Sequence, residues 1–146
     1  MHRVAISRVL LSLAALLMLA GGGAHVLALR KASAVLEASS LSGRYAAIFQ
    51  GLWLSVGAMT VVLGLSYLIL AWSPRLGTRT TLAALGTLPL TGAIAIYATV
   101  GNFAPAHLLL AAAAMVLIAA PLSREGTRRP AMPGAEAISV TKPTCP

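Results

Sequence analysis

The sequence predicts an all-α membrane protein, a bundle of four transmembrane helices with both termini cytoplasmic. Three observations lead there. Of the 146 residues, 58% are hydrophobic and 10% charged, whereas an ordinary soluble domain is about a quarter charged. The apolar residues fall into long blocks separated by arginines, a pattern of spanning helices and not of a soluble two-layer fold. The third is residues 80–123, 44 positions between Arg79 and Arg124 without Asp, Glu, Lys or Arg. As one helix this run would measure about 66 Å, roughly twice a bilayer's hydrocarbon core. It must fold back, and Gly101-Asn102-Phe103-Ala104-Pro105 is the place. The length allows one domain, a transmembrane part over 1–122 with helices at about 5–29, 45–72, 80–100 and 106–122, then a cytoplasmic tail over 123–146.

The first block, 9–29, has 21 uncharged positions between Arg8 and Arg30, enough to cross a bilayer. The alternative is a secretory signal peptide: Arg3 and Arg8, an apolar core over 9–20, and a small-residue site at Gly22-x-Ala24. Against it, apolar residues resume at Val26-Leu27-Ala28-Leu29, where a cleavage region turns polar. Residues 30–44 carry Arg30, Lys31, Glu37 and Arg44 with Val35, Leu36 and Leu41 among serines, which suits either a short interfacial helix or a solvated loop.

The second block, 45–74, offers 30 uncharged positions, more than an upright helix needs, so tilt or protrusion is expected. Pro74 fits its end. Tyr45 and Phe49 near one end, and Tyr67 and Trp72 near the other, suit aromatic belts. In the third block Pro89 removes an amide and crowds the carbonyl of Leu85, so a kink is expected, with Thr87 close by to satisfy the freed group. The fourth block is short and closed by Pro121. The tail, with Pro130, Pro133, Pro143 and Pro146 and no apolar periodicity, reads as disordered. No internal repeat is found.

The net charge of +8 excludes little by itself. Its placement at the ends of apolar blocks, without a basic stripe interleaved with aromatics, argues against nucleic acid. With four spans, Arg3, Arg8, Arg75, Arg79, Arg124, Arg128 and Arg129 share one side, and Arg30, Lys31 and Arg44 the other. The excess of seven over three sets both termini in the cytoplasm. Arginine outnumbers lysine 9 to 2 amid abundant Ala and Gly, compatible with a GC-rich bacterial genome and hence the inner membrane. The single cysteine, Cys145, has no intrachain partner. Its position, last but one, does not form a prenylation box.

Within lipid, helices meet through small residues and interhelical hydrogen bonds. The second helix has such a stripe at Gln50, Trp53, Gly57, Thr60, Gly64 and Tyr67. The third has Ala84, Thr87, Thr91, Ala95, Ala98 and Asn102. The first offers Ala14, Met18, Gly21 or Gly22, and His25, and the fourth His107, Ala111 and Ala114. Packing alone accounts for these stripes, and Trp53, Gly57, Thr60, Gly64, Thr87 and Thr91 are the expected packing residues.

Signs of chemistry are sparse. No Asp, Glu, Lys or Arg lies inside a span, which removes the usual mark of proton and ion pathways and disfavours a small transporter subunit; the four-helix multidrug exporters depend on a glutamate in helix one, where this chain has Met18. There is no His-Glu-x-x-His, phosphate-binding glycine loop or Gly-x-Ser-x-Gly elbow. No catalytic residue is assigned. The positive candidate is an outer polar layer: His25, Gln50, Asn102 and His107 arrive at the same membrane face, one from each helix, with Glu37 placed to fold over them. Two histidines on separate helices suit a metal or haem iron, and the layer equally suits the head of a quinone or lipid. The bland alternative is amphipathic residues sitting at an interface and bonding each other or water.

Gly21-Gly22-Gly23-Ala24-His25, the polar stretch from Arg30 to Arg44, and Gln50-Gly51-Leu52-Trp53 resemble small bacterial four-helix membrane proteins of unassigned activity. Gly101-Asn102-Phe103-Ala104-Pro105-Ala106-His107 looks like their second hairpin. The likeness covers 1–122 and implies a fold and a compartment but no activity. Where those proteins carry a histidine after the tryptophan, this chain has Leu54. The expectation is therefore a non-catalytic inner-membrane protein that binds a partner protein, a second copy or a hydrophobic small molecule within the bundle. No cofactor is expected. The alternative is a redox, metal or haem protein using His25 and His107.

Overall fold

The computed structural model describes residues 2–40, 43–73 and 75–123. The tail expected to be disordered lies, apart from Ser123, outside the described residues. The chain forms five helices among the described residues: α1 His2–Leu27, α2 Leu29–Glu37, α3 Gly43–Trp72, α4 Arg79–Thr99 and α5 Ala104–Leu122. Four helical stretches are long and apolar enough to cross a membrane, α1 and α2 counting as one of 36 residues. The surface agrees with that reading. Leu16, Val62, Ile94 and Ile118, one from each stretch, are all more than half exposed, an apolar exterior that water would not tolerate over so large an area.

Helix ends follow local chemistry. Thr78 caps α4, its hydroxyl accepting from the Thr81 amide at 3.2 Å. Gly101, at φ +87°, turns the chain after α4, its amide bonding back to the Ile96 carbonyl. Pro105 then sits in the first turn of α5, where its missing amide costs nothing. Of the stretch left open between loop and interfacial helix, the part up to Glu37 is a helix, α2, which extends α1 after a one-residue break at Ala28 and packs on the start of α3.

The helices pack in the order α3, α1, α5, α4, with α1 and α5 in the middle. The core lies at their seams: Leu11, Ala14, Ala15 and Met18 of α1, Tyr67 and Leu70 of α3, Leu82 of α4, and Ala112, Val116 and Ala119 of α5. The α1–α3 seam is close. A Cβ on Gly22 would stand 3.1 Å from the Gly57 carbonyl oxygen, and one on Gly64 3.1 Å from that of Ala15. Backbones thus touch directly, which is how helices without a hydrophobic driving force gain dispersion energy. The α1–α5 seam carries a buried hydrogen bond from Ser7 Oγ to the Ala119 carbonyl at 3.3 Å.

The third span differs from expectation. Ala84, Thr87, Thr91, Ala95, Ala98 and Asn102 are exposed, and α4 buries Leu82, Gly86, Pro89 and Ala93 instead. Both sets recur every three or four residues. Gly86 decides between them, because it lets Leu117 and Val116 of α5 approach within 3.3 Å of where its Cβ would stand. Thr87 and Thr91 turn their hydroxyls onto carbonyls of their own helix, those of Ala84 and Thr87.

Substituting Gly57 or Gly64 by leucine should lower stability in a bilayer or bicelle by about 2 kcal/mol through overpacking. Gly51→Leu, at an exposed glycine with nothing within 4 Å, should be near neutral in the same reversible unfolding measurement.

Candidate functional site: a groove between α3 and α4

Pro89 has no amide, so the carbonyl of Leu85, four residues earlier, is left without a helical donor. Tyr67 of α3 supplies one: its hydroxyl donates to Leu85 O at 2.9 Å, and its side chain is fully buried. Thr87, expected to do this, bonds Ala84 O instead. Tyr67, also expected in an interfacial belt, is a core residue, whereas Trp72 and Tyr45 remain exposed near the ends of α3.

That hydrogen bond is the one side-chain bond between α3 and α4 among the described residues, and no Cα of one helix lies within 8 Å of a Cα of the other. Beside it the two helices stand apart and enclose a groove of about 620 Å³. Met59 and Leu63 form one wall, Leu88, Pro89 and Gly92 the other, and Met18 of α1 lies between them. The volume is within the range of ligand-binding clefts. Thr60 and Ser66 also line it, but Thr60 Oγ1 donates to Val56 O and Ser66 Oγ to Val62 O, each at 2.8 Å. With both hydroxyl protons engaged by the helix, the groove offers an incoming molecule an apolar wall. Two methionines add unbranched side chains able to adapt to different shapes.

The expected outer layer resolves into two separate pairs. On α1 and α3, His25 and Trp53 stack with ring centroids 4.3 Å apart and planes 11° from parallel. The indole N–H donates to the His25 carbonyl at 2.7 Å, and His25 Nε2 donates to the Trp53 carbonyl at 3.1 Å. The His25 carbonyl stands at the break between α1 and α2, where the backbone bonds run from Ala28 to Ala24 and from Ala32 to Ala28. Phe49 lies against Trp53, and one turn along Gln50 donates to Ser33 of α2 at 3.2 Å. On α4 and α5, His107 meets Tyr97 edge-on at 5.5 Å, and its Nδ1 donates to the Phe103 carbonyl at 3.2 Å.

No ring contact or hydrogen bond joins the pairs among the described residues, and Asn102 is exposed in the turn. Glu37 does not fold over the layer. It is exposed at the far end of α2, twelve residues beyond His25, ~18 Å of helical rise. Each histidine is therefore engaged on its own helix pair, and among the described residues no three His, Cys, Asp or Glu gather as a metal site. Of the expected packing residues, Gly57 and Gly64 are buried and Trp53 and Thr60 half-buried, while Thr87 and Thr91 face outward.

Sequence reasoning did not find the groove. Its one local signal is Pro89, which announces an orphan carbonyl at Leu85 but not the donor that reaches it. No protein-family model matches the chain, and no curated protein or solved structure is significantly similar to it.

Removing the Tyr67 hydroxyl (Tyr67→Phe) should destabilise the fold by about 1 kcal/mol, the scale of interhelical hydrogen bonds in membrane proteins. In a Pro89→Ala background the new amide can bond Leu85 O, so Tyr67→Phe should cost clearly less. A double-mutant cycle in bicelles measures this, and additive costs would contradict the role given to Tyr67.

Proposed function

We propose that this is a non-catalytic, multi-pass protein of the bacterial inner membrane that binds a hydrophobic molecule in the groove between α3 and α4. The observation that carries the reading is the groove itself, about 620 Å³ of apolar-walled space between helices whose one hydrogen bond, among the described residues, is that of Tyr67 to Leu85. At ~30 Å³ per molecule, water would need to place about twenty molecules there against walls offering few partners. A hydrophobic occupant fills the same space without that penalty.

The cytoplasmic placement of both termini is part of the proposal and is supported by the arginine distribution. The position of α1 between α3 and α5 supports its being a retained span. A redox, metal or haem role for His25 and His107 has less support, because each ring is taken up by its own aromatic neighbour.

A long-chain alcohol carrying a diazirine is a suitable neutral probe. On illumination in bilayers its adducts should concentrate on the groove walls, at 56–66 and 85–92. Met59 and Leu88 are both exposed wall residues, so the double variant Met59→Trp/Leu88→Trp fills the groove without overpacking the core. It should reduce labelling about fivefold, equivalent to ~1 kcal/mol of binding. Labelling spread evenly over outward residues such as Leu16 and Ile118 would defeat the proposal.

Topology is tested by cysteine access. In intact cells Cys145 should resist a membrane-impermeant maleimide, and Ala38→Cys, placed in a Cys145→Ser background, should react. The reverse pattern would invert the assignment.

A further inference from the structure

We infer that the occupant of the groove is an anionic phospholipid, its headgroup phosphate held by arginines at the α3–α4 link and one acyl chain lying along the groove. This rests on the groove-binding reading and names its ligand class.

The link after Trp72 turns sharply. The amides of Leu76 and Gly77 bond the Ser73 carbonyl, and Gly77 packs so closely on the end of α3 that a Cβ would stand 3.2 Å from Leu70 O. Gly77 and Arg8 line a common small cavity of about 30 Å³ together with Ser7 and Ser123. Arg75 and Arg79 lie two residues to either side of Gly77, and all three arginines are exposed. Arginines from α1, the link and the first turn of α4 therefore gather at one end of the molecule. The only acid among the described residues is Glu37, on α2 at the opposite end, and none of the three arginines forms an ion pair or hydrogen bond with a described residue. Such a cluster at the edge of a hydrocarbon layer attracts phosphate, and guanidinium groups suit its bidentate geometry.

Heights along α4 put the groove within one leaflet's depth of this cluster. Leu85, which lines the groove, is six residues or ~9 Å of rise above Arg79, and Pro89 is ~15 Å above it. One leaflet of a ~30 Å core is also ~15 Å deep. An acyl chain descending from a phosphate at Arg75 and Arg79 thus reaches the depth of the groove walls over the deeper part of its length. A neutral hydrophobe leaves the arginines uncompensated. A second copy packed parallel brings a second basic end to the first.

The test uses native mass spectrometry of the full chain in mild detergent, with dioleoyl phosphatidylglycerol and dioleoyl phosphatidylcholine as probes of identical chain length. One phosphatidylglycerol should remain bound, preferred over phosphatidylcholine by about 25-fold at low salt, from roughly fivefold per arginine. Arg75→Gln/Arg79→Gln should abolish the preference and leave photolabelling by the neutral diazirine alcohol unchanged. Met59→Trp/Leu88→Trp should weaken both lipids. Equal retention of the two lipids by the unmodified chain, with alcohol labelling intact, would overturn this inference and leave the groove reading standing. Loss of groove labelling by the alcohol would remove both. Phosphatidylglycerol retention undiminished by the tryptophan pair, or a dimer in place of the lipid adduct, would also overturn it.

Discussion

The carbonyl of Leu85 has no amide to bond within its own helix, because residue 89 is proline, and a carbonyl left unpaired inside a bilayer is destabilising. The hydroxyl of Tyr67 removes that cost from across the groove. The same solution recurs near the other end of α3, where the indole of Trp53 donates to the carbonyl of His25 at the α1–α2 break. The two aromatic donors are fourteen residues apart on α3 and so face nearly the same way. One helix therefore mends irregularities in two others. Since in-helix bonds hold every helix regardless of its neighbours, these bonds fix how the helices stand relative to one another.

Close packing supplies the rest. Gly22 against Gly57 and Gly64 against Ala15 bring α1 and α3 to backbone contact, and Gly86 admits Leu117 and Val116 of α5 against α4. These seams are built on small residues of α1, α3 and α4. Nothing comparable lies between α3 and α4, where Met59, Leu63, Leu88 and Pro89 face each other across open space. The groove lies where no glycine of one helix meets the backbone of the other.

Much of this was legible in the sequence. Charge-free blocks gave four apolar spans, and the α3 stripe ending in Gly57, Gly64 and Tyr67 marked a buried face. The face of α4 was not legible, because Ala84-Thr87-Thr91 and Leu82-Gly86-Pro89 have the same periodicity and only the neighbouring helix distinguishes them. The outer polar layer was half legible. Height along a helix follows from counting residues, which placed His25 and Gln50 correctly near one end, but counting does not give rotation. Rotation sends His25 to Trp53 and His107 to Tyr97.

The packing order α3, α1, α5, α4 is an open row with two free edges, and those edges face one another. Mechanically the molecule is two antiparallel hairpins, α1–α2 with α3 and α4 with α5, joined along the α1–α5 seam. A molecule in the groove lies between the hairpins, and widening the groove need not unfold either one. The one hydrogen bond across the groove among the described residues is that of the Tyr67 phenol to the Leu85 carbonyl, and a wedge that broke it would widen the cleft while every helix kept its own ladder.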